Sequence, residues 1–294
     1  MELAGRSALV TGASRGIGES IALALARHGA RVYAGVRSAE DQERLAAAAE
    51  TITAVRLDVC EPADIKAVAA LIEADRGAAG LDVLVNNAGV LALAPIEHVG
   101  LDELRHLLEV NVVGQVAVIQ AVLPMLRRAQ GRIINIGSDA AKFTLPLGGP
   151  YGGSKAAFDA IGVALRREVR DQGIAVVAFQ PGSINTRLWE HIVTDLRSGR
   201  RPWANDPAYR PFVAGVAAVA DRGQRTGKPP EVVGNAVVRL VTRRRPPVLQ
   251  RQGVDARIRS LTVDLLPHRT VDNMIIKRLS KRDARRVTRV ADPV

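Results

Sequence analysis

Apolar residues fall in two alternating rhythms along the chain. Short, nearly unbroken apolar runs lie near 6–11, 31–36, 53–57, 81–85, 131–136 and 174–179, with a shorter one near 247–250. Runs of this length bounded by glycine and polar clusters read as strands buried on both faces. Between them the spacing is helical, including an alanine-rich stretch from Glu19 to about His28 and long helices at about 101–129 and 150–172. Strands alternating with helices predict an α/β fold, a doubly wound parallel sheet of about seven strands with helices on both faces. Right-handed crossovers would place a binding crevice at the carboxyl ends of the strands. No repeat or long linker divides the core. One domain is expected over 1–250, including a lid insertion at about 187–230, followed by an extension over 251–294.

Composition narrows the class. At 294 residues and 47% hydrophobic the chain can bury a large core. A single cysteine, Cys60, excludes an intramolecular disulfide and reads as a buried structural thiol. The histidines at 28, 98, 106, 191 and 268 have no ligand spacing, so no metal site is expected. Met1 to Arg6 carries no apolar signal, and no uninterrupted apolar run approaches the ~20 residues of a spanning helix. The expectation is a cytoplasmic protein.

Charge adds a partner question. The net charge is +11, much of it in Lys277, Arg278, Lys281, Arg282, Arg285, Arg286 and Arg289, with Arg243 to Arg245 upstream. Such a basic C-terminus could touch anionic lipid, making the protein peripheral to a membrane, or remain solvated. Nucleic acid is not expected as a partner, because no binding motif or interleaved aromatics accompany the charges.

The chemistry begins at the N-terminus. The apolar run Ser7 to Thr11 leads directly into Gly12-Ala-Ser-Arg-Gly16-Ile-Gly18 and then a helix. Strand, glycine turn and helix in that order form a setting for a dinucleotide pyrophosphate. Gly12 suits the tight turn, and Gly16 and Gly18 would let backbone amides approach the phosphates. Further along, Tyr151 and Lys155 stand four residues apart on one helical face. An ammonium beneath a phenol stabilises the phenolate and lowers its pKa from about 10. Ser138 could hold a carbonyl oxygen beside that phenol.

These motifs, with Asn86-Asn87-Ala88-Gly89, Asn111 and Pro181-Gly182 in the same order, resemble the short-chain dehydrogenase/reductase family over roughly 5–190. The resemblance implies a Rossmann-type fold and an oxidoreductase acting on CH–OH. It gives Tyr151 the role of proton donor and acceptor and Ser138 that of orienting the substrate oxygen. Lys155 would tune the tyrosine and bind the nicotinamide ribose, and Asn111 would hold a water linking Lys155 to solvent. It also places cofactor contacts at Gly12, Ser14, Arg15, Gly16, Ile17 and Gly18, at Arg37, Asp58 and Val59, and at Asn87, Ala88 and Gly89. Further contacts fall at Tyr151, Lys155, Pro181, Gly182, Ile184 and Thr186. For Asp58 a rival role is capping the helix near Pro62. The two long helices resemble the family's subunit contacts, implying a homodimer or homotetramer.

Cofactor choice can be read more finely. An acidic residue about twenty positions after the glycine turn favours NAD. Here the second strand ends Ala34-Gly35-Val36-Arg37 with no carboxylate. Arg37 and Arg15 suit a 2′-phosphate, so NADP(H) is expected.

Substrate must be sought in the lid, where Trp189, Trp203, Tyr209 and Phe212 cluster. They could line an apolar pocket or simply pack the lid onto the body. The second strand and the long C-terminus look like the hydroxysteroid and retinol dehydrogenase branch, which implies a hydrophobic carbonyl or alcohol that is steroid-, retinoid- or long-acyl-like. A 3-oxoacyl-thioester reductase and a non-catalytic NADP-binding redox sensor are the alternatives. Gly152 and Gly153 sit where a helix should run, which suggests either close backbone approach to a ligand or fraying.

Overall fold

The computed structural model describes residues 2–187, 190, 194–196, 198 and 200–290, the stretch 280–290 by its backbone alone. Seven strands are β1 (Ser7–Val10), β2 (Arg31–Val36), β3 (Ile52–Arg56), β4 (Val83–Asn86), β5 (Arg132–Ile136), β6 (Ala175–Pro181) and β7 (Leu249–Gln252). They form one sheet in the order β3-β2-β1-β4-β5-β6-β7, parallel at every pairing. All seven expected strands are present, each boundary within two residues of its expected place. The strand order reverses between β1 and β4, so the crevice opens at their carboxyl ends.

Successive strand residues feed opposite layers, which is why the strand sequences lack polar alternation. Ala8 and Val10 join a core with α1 (Gly16–Arg27) and the helix Glu231–Thr242. Leu9, between them, joins the core under α3 (Pro62–Arg76) and α6 (Gly149–Glu168).

Helix Leu101–Ala129 is continuous and passes the length and apolarity of a bilayer span. Its Val118, Val122 and Leu126 lie instead in the second core layer. A π turn at Glu109–Val113 separates α4 (Leu101–Leu108) from α5 (Gly114–Ala129), a feature common at functional sites. Outside, Leu108, Val113, Ile161 and Val163 remain exposed on these long helices.

Helix α6 runs unbroken through both glycines, so fraying does not occur. A Cβ on Gly152 would lie 2.6 Å from Thr144 Oγ1 and 2.9 Å from the Ala140 carbonyl, whereas one on Gly153 would meet open space. The close approach is thus to the protein's own loop after β5, not to a ligand.

In the lid, Trp203 is buried in a small core with Leu147, Val216 and Ala217, and Tyr209 and Phe212 pack against it. Trp189 lies outside the described residues. The C-terminal helix His268–Val290 closes on helix Arg210–Thr226, where a Cβ on Gly215 would come within 2.8 Å of Leu279.

Candidate active site

The glycine turn is shaped by backbone collisions. Gly12 and Gly16 have φ of 62° and 60°, the left-handed region that suits glycine. A Cβ on Gly12 would lie 2.8 Å from Ala88 Cα. One on Gly18 would lie 2.9 Å from the Gly12 carbonyl carbon and closer still to its oxygen and to Asn87 Nδ2. Gly18 therefore closes α1 onto the turn, a packing role beside the expected approach of its amide to a phosphate. Arg15 stands at the N-cap in extended conformation and its side chain caps nothing. The amides at the positive end of α1 are left for an anion.

The turn is tied to the strand beside it. Asn87 Nδ2 donates to the carbonyls of Thr11 (2.9 Å) and Gly12 (3.0 Å). Thr11 Oγ1 accepts from the backbone amides of Asn87 and Ala88, both at 2.9 Å. The Asn87 side chain thus holds the turn in shape, leaving a direct cofactor contact to backbone. Gly89 faces Asn111 and Lys155, where a Cβ would sit 3.3 Å from Asn111 Oδ1 and 3.6 Å from Lys155 Nζ.

At the far end of the crevice, the Arg37 side chain is 65% exposed just past β2, and its guanidinium stands 4.0 Å from Asp58. Arg44, from α2 (Ala39–Ala46), reaches back to the Ser14 carbonyl and to Glu19. Sequence reasoning missed Arg44; its signal was a basic residue two turns into the helix after β2. Asp58 accepts from the Cys60 amide at 3.0 Å, and Glu61 occupies the N-cap of α3. The rival capping role for Asp58 is not what the structure shows. Cys60 is half-buried, and burial with Asp58 nearby raises its thiol to about 11, so it remains an unreactive thiol.

Val59 and Ile184 are both core residues, so only their backbone can border a ligand. Ile17 packs partly into the first core layer. Thr186 approaches Gly16, with Cγ2 3.4 Å from where a Cβ would stand. Pro181 ends β6, and a Cβ on Gly182 would come 2.5 Å from Asp255 Oδ1.

At the centre, Tyr151 and Lys155 project from α6 and Ser138 follows β5, its hydroxyl beside the Tyr151 phenol and accepting from the Ala140 amide at 3.1 Å. Lys155 Nζ donates to the Ile136 carbonyl at 3.2 Å and lies 5.9 Å from the centroid of the Tyr151 ring. The Asn111 amide clamps the Val90 backbone, accepting at 2.8 Å and donating at 2.9 Å, and also donates to Ser154 Oγ at 3.0 Å. Both hydrogens of its carboxamide are engaged, so the side chain could offer a water only the second lone pair of Oδ1.

Electrostatics differ from the expectation. Burial pushes the Tyr151 phenol up to about 12 against the opposing influence of the Ser138 hydroxyl, and it pushes Lys155 down to about 8 against the pull of Asp159. In the chain alone desolvation dominates both shifts. A phenol this weak is a stable proton donor at neutral pH.

Asp159 is the second residue that sequence reasoning missed. It lies one turn beyond Lys155 on α6, and its Oδ2 accepts from Gln180 Nε2 at 2.7 Å. Its Oδ1 is buried with no hydrogen-bond partner among the described residues. The helical step 151, 155, 159 was the available signal.

A doubly wound parallel sheet with a glycine turn at its switch point, facing a Ser–Tyr–Lys group whose lysine is buried, defines the class of dinucleotide-dependent oxidoreductases. The short chain dehydrogenase family model matches residues 6–197, and the chain belongs to that family. It is 34% identical to an NADPH-dependent 3-dehydrocapnine reductase of Ornithobacterium rhinotracheale, over 94% of this chain and 98% of that one. Mouse (Mus musculus) retinol dehydrogenase 5 is 31% identical over 90% of this chain and 86% of its own. Among solved structures, a short chain dehydrogenase from Burkholderia cenocepacia J2315 in complex with NADP superposes with a TM-score of 0.71 at 25% identity, covering 94% of this chain and 99% of that one.

Proposed function

We propose that this oxidoreductase reduces the carbonyl of an apolar substrate to an alcohol with NADPH and runs the reverse oxidation with NADP. The observation that carries this reading is Lys155 buried one helical turn below Tyr151, its Nζ 5.9 Å from the phenol ring centroid, with Ser138 beside that phenol. Bound NADPH would supply the hydride for the carbonyl carbon. Tyr151 gives its phenolic proton to the carbonyl oxygen, whose position Ser138 sets by hydrogen bonding. The Lys155 ammonium stabilises the phenolate left behind until a solvent proton replaces the one donated.

The uncapped amides of α1 suit the pyrophosphate, and Gly16 leaves space beside Thr186 for it. Arg37 and Arg15 are exposed at the adenosine end, and a 2′-phosphate there gains charge-assisted hydrogen bonds that NAD cannot offer. The name of the 3-dehydrocapnine reductase supports the same choice. Leu91 and Leu93 pack half-buried against the lid core, which supports an apolar substrate. Exposed Val113 and Ile161 support subunit contacts on the long helices.

The test is consumption of NADPH and NADH with steroid ketones, retinal and 3-oxoacyl thioesters, comparing wild type with Tyr151→Phe. NADPH-linked turnover lost in the variant is expected. Turnover retained by Tyr151→Phe would overturn the acid role, and a faster rate with NADH would overturn the cofactor choice.

A further inference from the structure

The helix Val254–Leu265 carries its polar and apolar faces in the reverse of the usual order. Ala256 and Ser260 are buried on its inner side. Beside them, Asp255 Oδ2 accepts from the Ser183 amide at 3.0 Å and from its hydroxyl at 3.1 Å. Arg259 completes this face, donating to Asp255 at 2.8 Å and to Asp139 at 2.5 Å. The outer face carries Val254, Ile258, Leu261 and Leu265, which are 68%, 57%, 54% and 75% exposed. Steps of four, three and four residues keep these side chains within about 60° of arc at ~100° per residue. Leu266 follows, and Met274 in the next helix is 50% exposed. A soluble monomer rarely leaves so regular an apolar stripe in water.

Charge says what covers it. Residues 251–290 hold eleven lysines and arginines against four acids, the larger part of the chain's net +11. Arg257 is exposed beside the stripe, and Arg243 to Arg245, Arg269, Lys277 and Arg278 are exposed nearby in sequence. A second copy docking through this face would bring the same positive segment against itself. An anionic surface with an apolar interior satisfies both the stripe and its surroundings.

We propose that helix Val254–Leu265 docks the protein on an anionic lipid surface, its apolar stripe lying at the boundary between headgroups and acyl chains. The inner face of the same helix grips Ser183 and Asp139, the immediate neighbours of Gly182 and Ser138. The lipid would therefore lie about one helix diameter, ~10 Å, from the loops that border the catalytic hydroxyl. The docking surface does not depend on which substrate is reduced.

Flotation of the full chain with phosphatidylcholine vesicles, with and without phosphatidylglycerol, at low salt tests this. Wild type is expected to float with the anionic vesicles only, and Ile258→Asp/Leu261→Asp to lose at least tenfold of that retention with an unchanged thermal melt. A wild type that stays in solution overturns the proposal, as does a double variant that floats as well as wild type. Light scattering that finds the wild type oligomeric and the double variant monomeric would assign the stripe to a second copy instead. Should the double variant misfold, Leu265→Trp gives an independent reading. Its added fluorescence should be quenched by brominated anionic lipid, and no quenching means no insertion.

Discussion

The glycine turn and the C-terminal third hold their shapes by opposite means. In the turn, backbone meets backbone: the Gly12 carbonyl leaves no room for a Cβ on Gly18, and Ala88 leaves none on Gly12. The C-terminal third instead pins the loop after β5 through side-chain ion pairs, Arg259 with Asp255 and Asp139, and Asp264 with Lys142. A backbone contact admits one residue type at its position and so leaves a motif in the sequence. An ion pair joining residues 120 positions apart can be built from many pairs and leaves none.

The sharpest way to break this comparison is Gly18→Ala. Its Cβ must push α1 away from the turn, so a loss of roughly 2–3 kcal/mol is expected, together with loss of NADPH binding. Urea unfolding and NADPH fluorescence titration measure the two effects. A variant that melts and binds like wild type would show that the turn can yield.

Arg259→Ala should cost less, because Arg259 is 29% exposed and water can partly replace it. Asp139 would remain mostly buried without its partner, its carboxyl already raised by that burial. The expected loss is about 1–2 kcal/mol, with slower turnover as the loop carrying Ser138 loosens. Adding Asp139→Asn to Arg259→Ala should recover part of both. No recovery in that double variant would mean that the ion pair is not what holds the loop.

Asp159→Asn moves a titration rather than a stability. Lys155 titrates near 8, held up by the Asp159 charge against burial. Without that charge the ammonium loses its proton at lower pH. The alkaline fall in reductive kcat should shift down by roughly half a pH unit, with activity near pH 6 almost unchanged. An equal loss at every pH would mark Asp159 as structural only.

These contrasts also explain what could be read from the sequence. The sheet, its seven strands and the central trio were legible because buried strands and helical spacing repeat locally. The tuning by Asp159 was not, since its effect depends on Gln180 from β6 and on the depth at which α6 lies. The packing role of Gly18 was not legible because a glycine that admits a ligand and one that admits the chain's own carbonyl look the same in sequence. The outward stripe of Val254–Leu265 has ordinary helical periodicity, and only the placement of Asp255 and Arg259 shows which face turns inward.

Adjacent glycines in α6 carry the comparison to its smallest scale. Gly152 is pressed by Thr144 and Ala140, whereas a Cβ on Gly153 would have nothing within 4 Å. The same substitution should therefore have opposite signs one residue apart. Gly153→Ala should stabilise the protein by roughly 0.5–1 kcal/mol, through helix propensity and a less flexible unfolded chain. Gly152→Ala should destabilise it and displace the loop that follows Ser138. Urea midpoints with equal slopes measure both. A lower midpoint for Gly153→Ala would mean that backbone freedom there supports the fold, and backbone crowding alone would then no longer explain which glycines this helix needs.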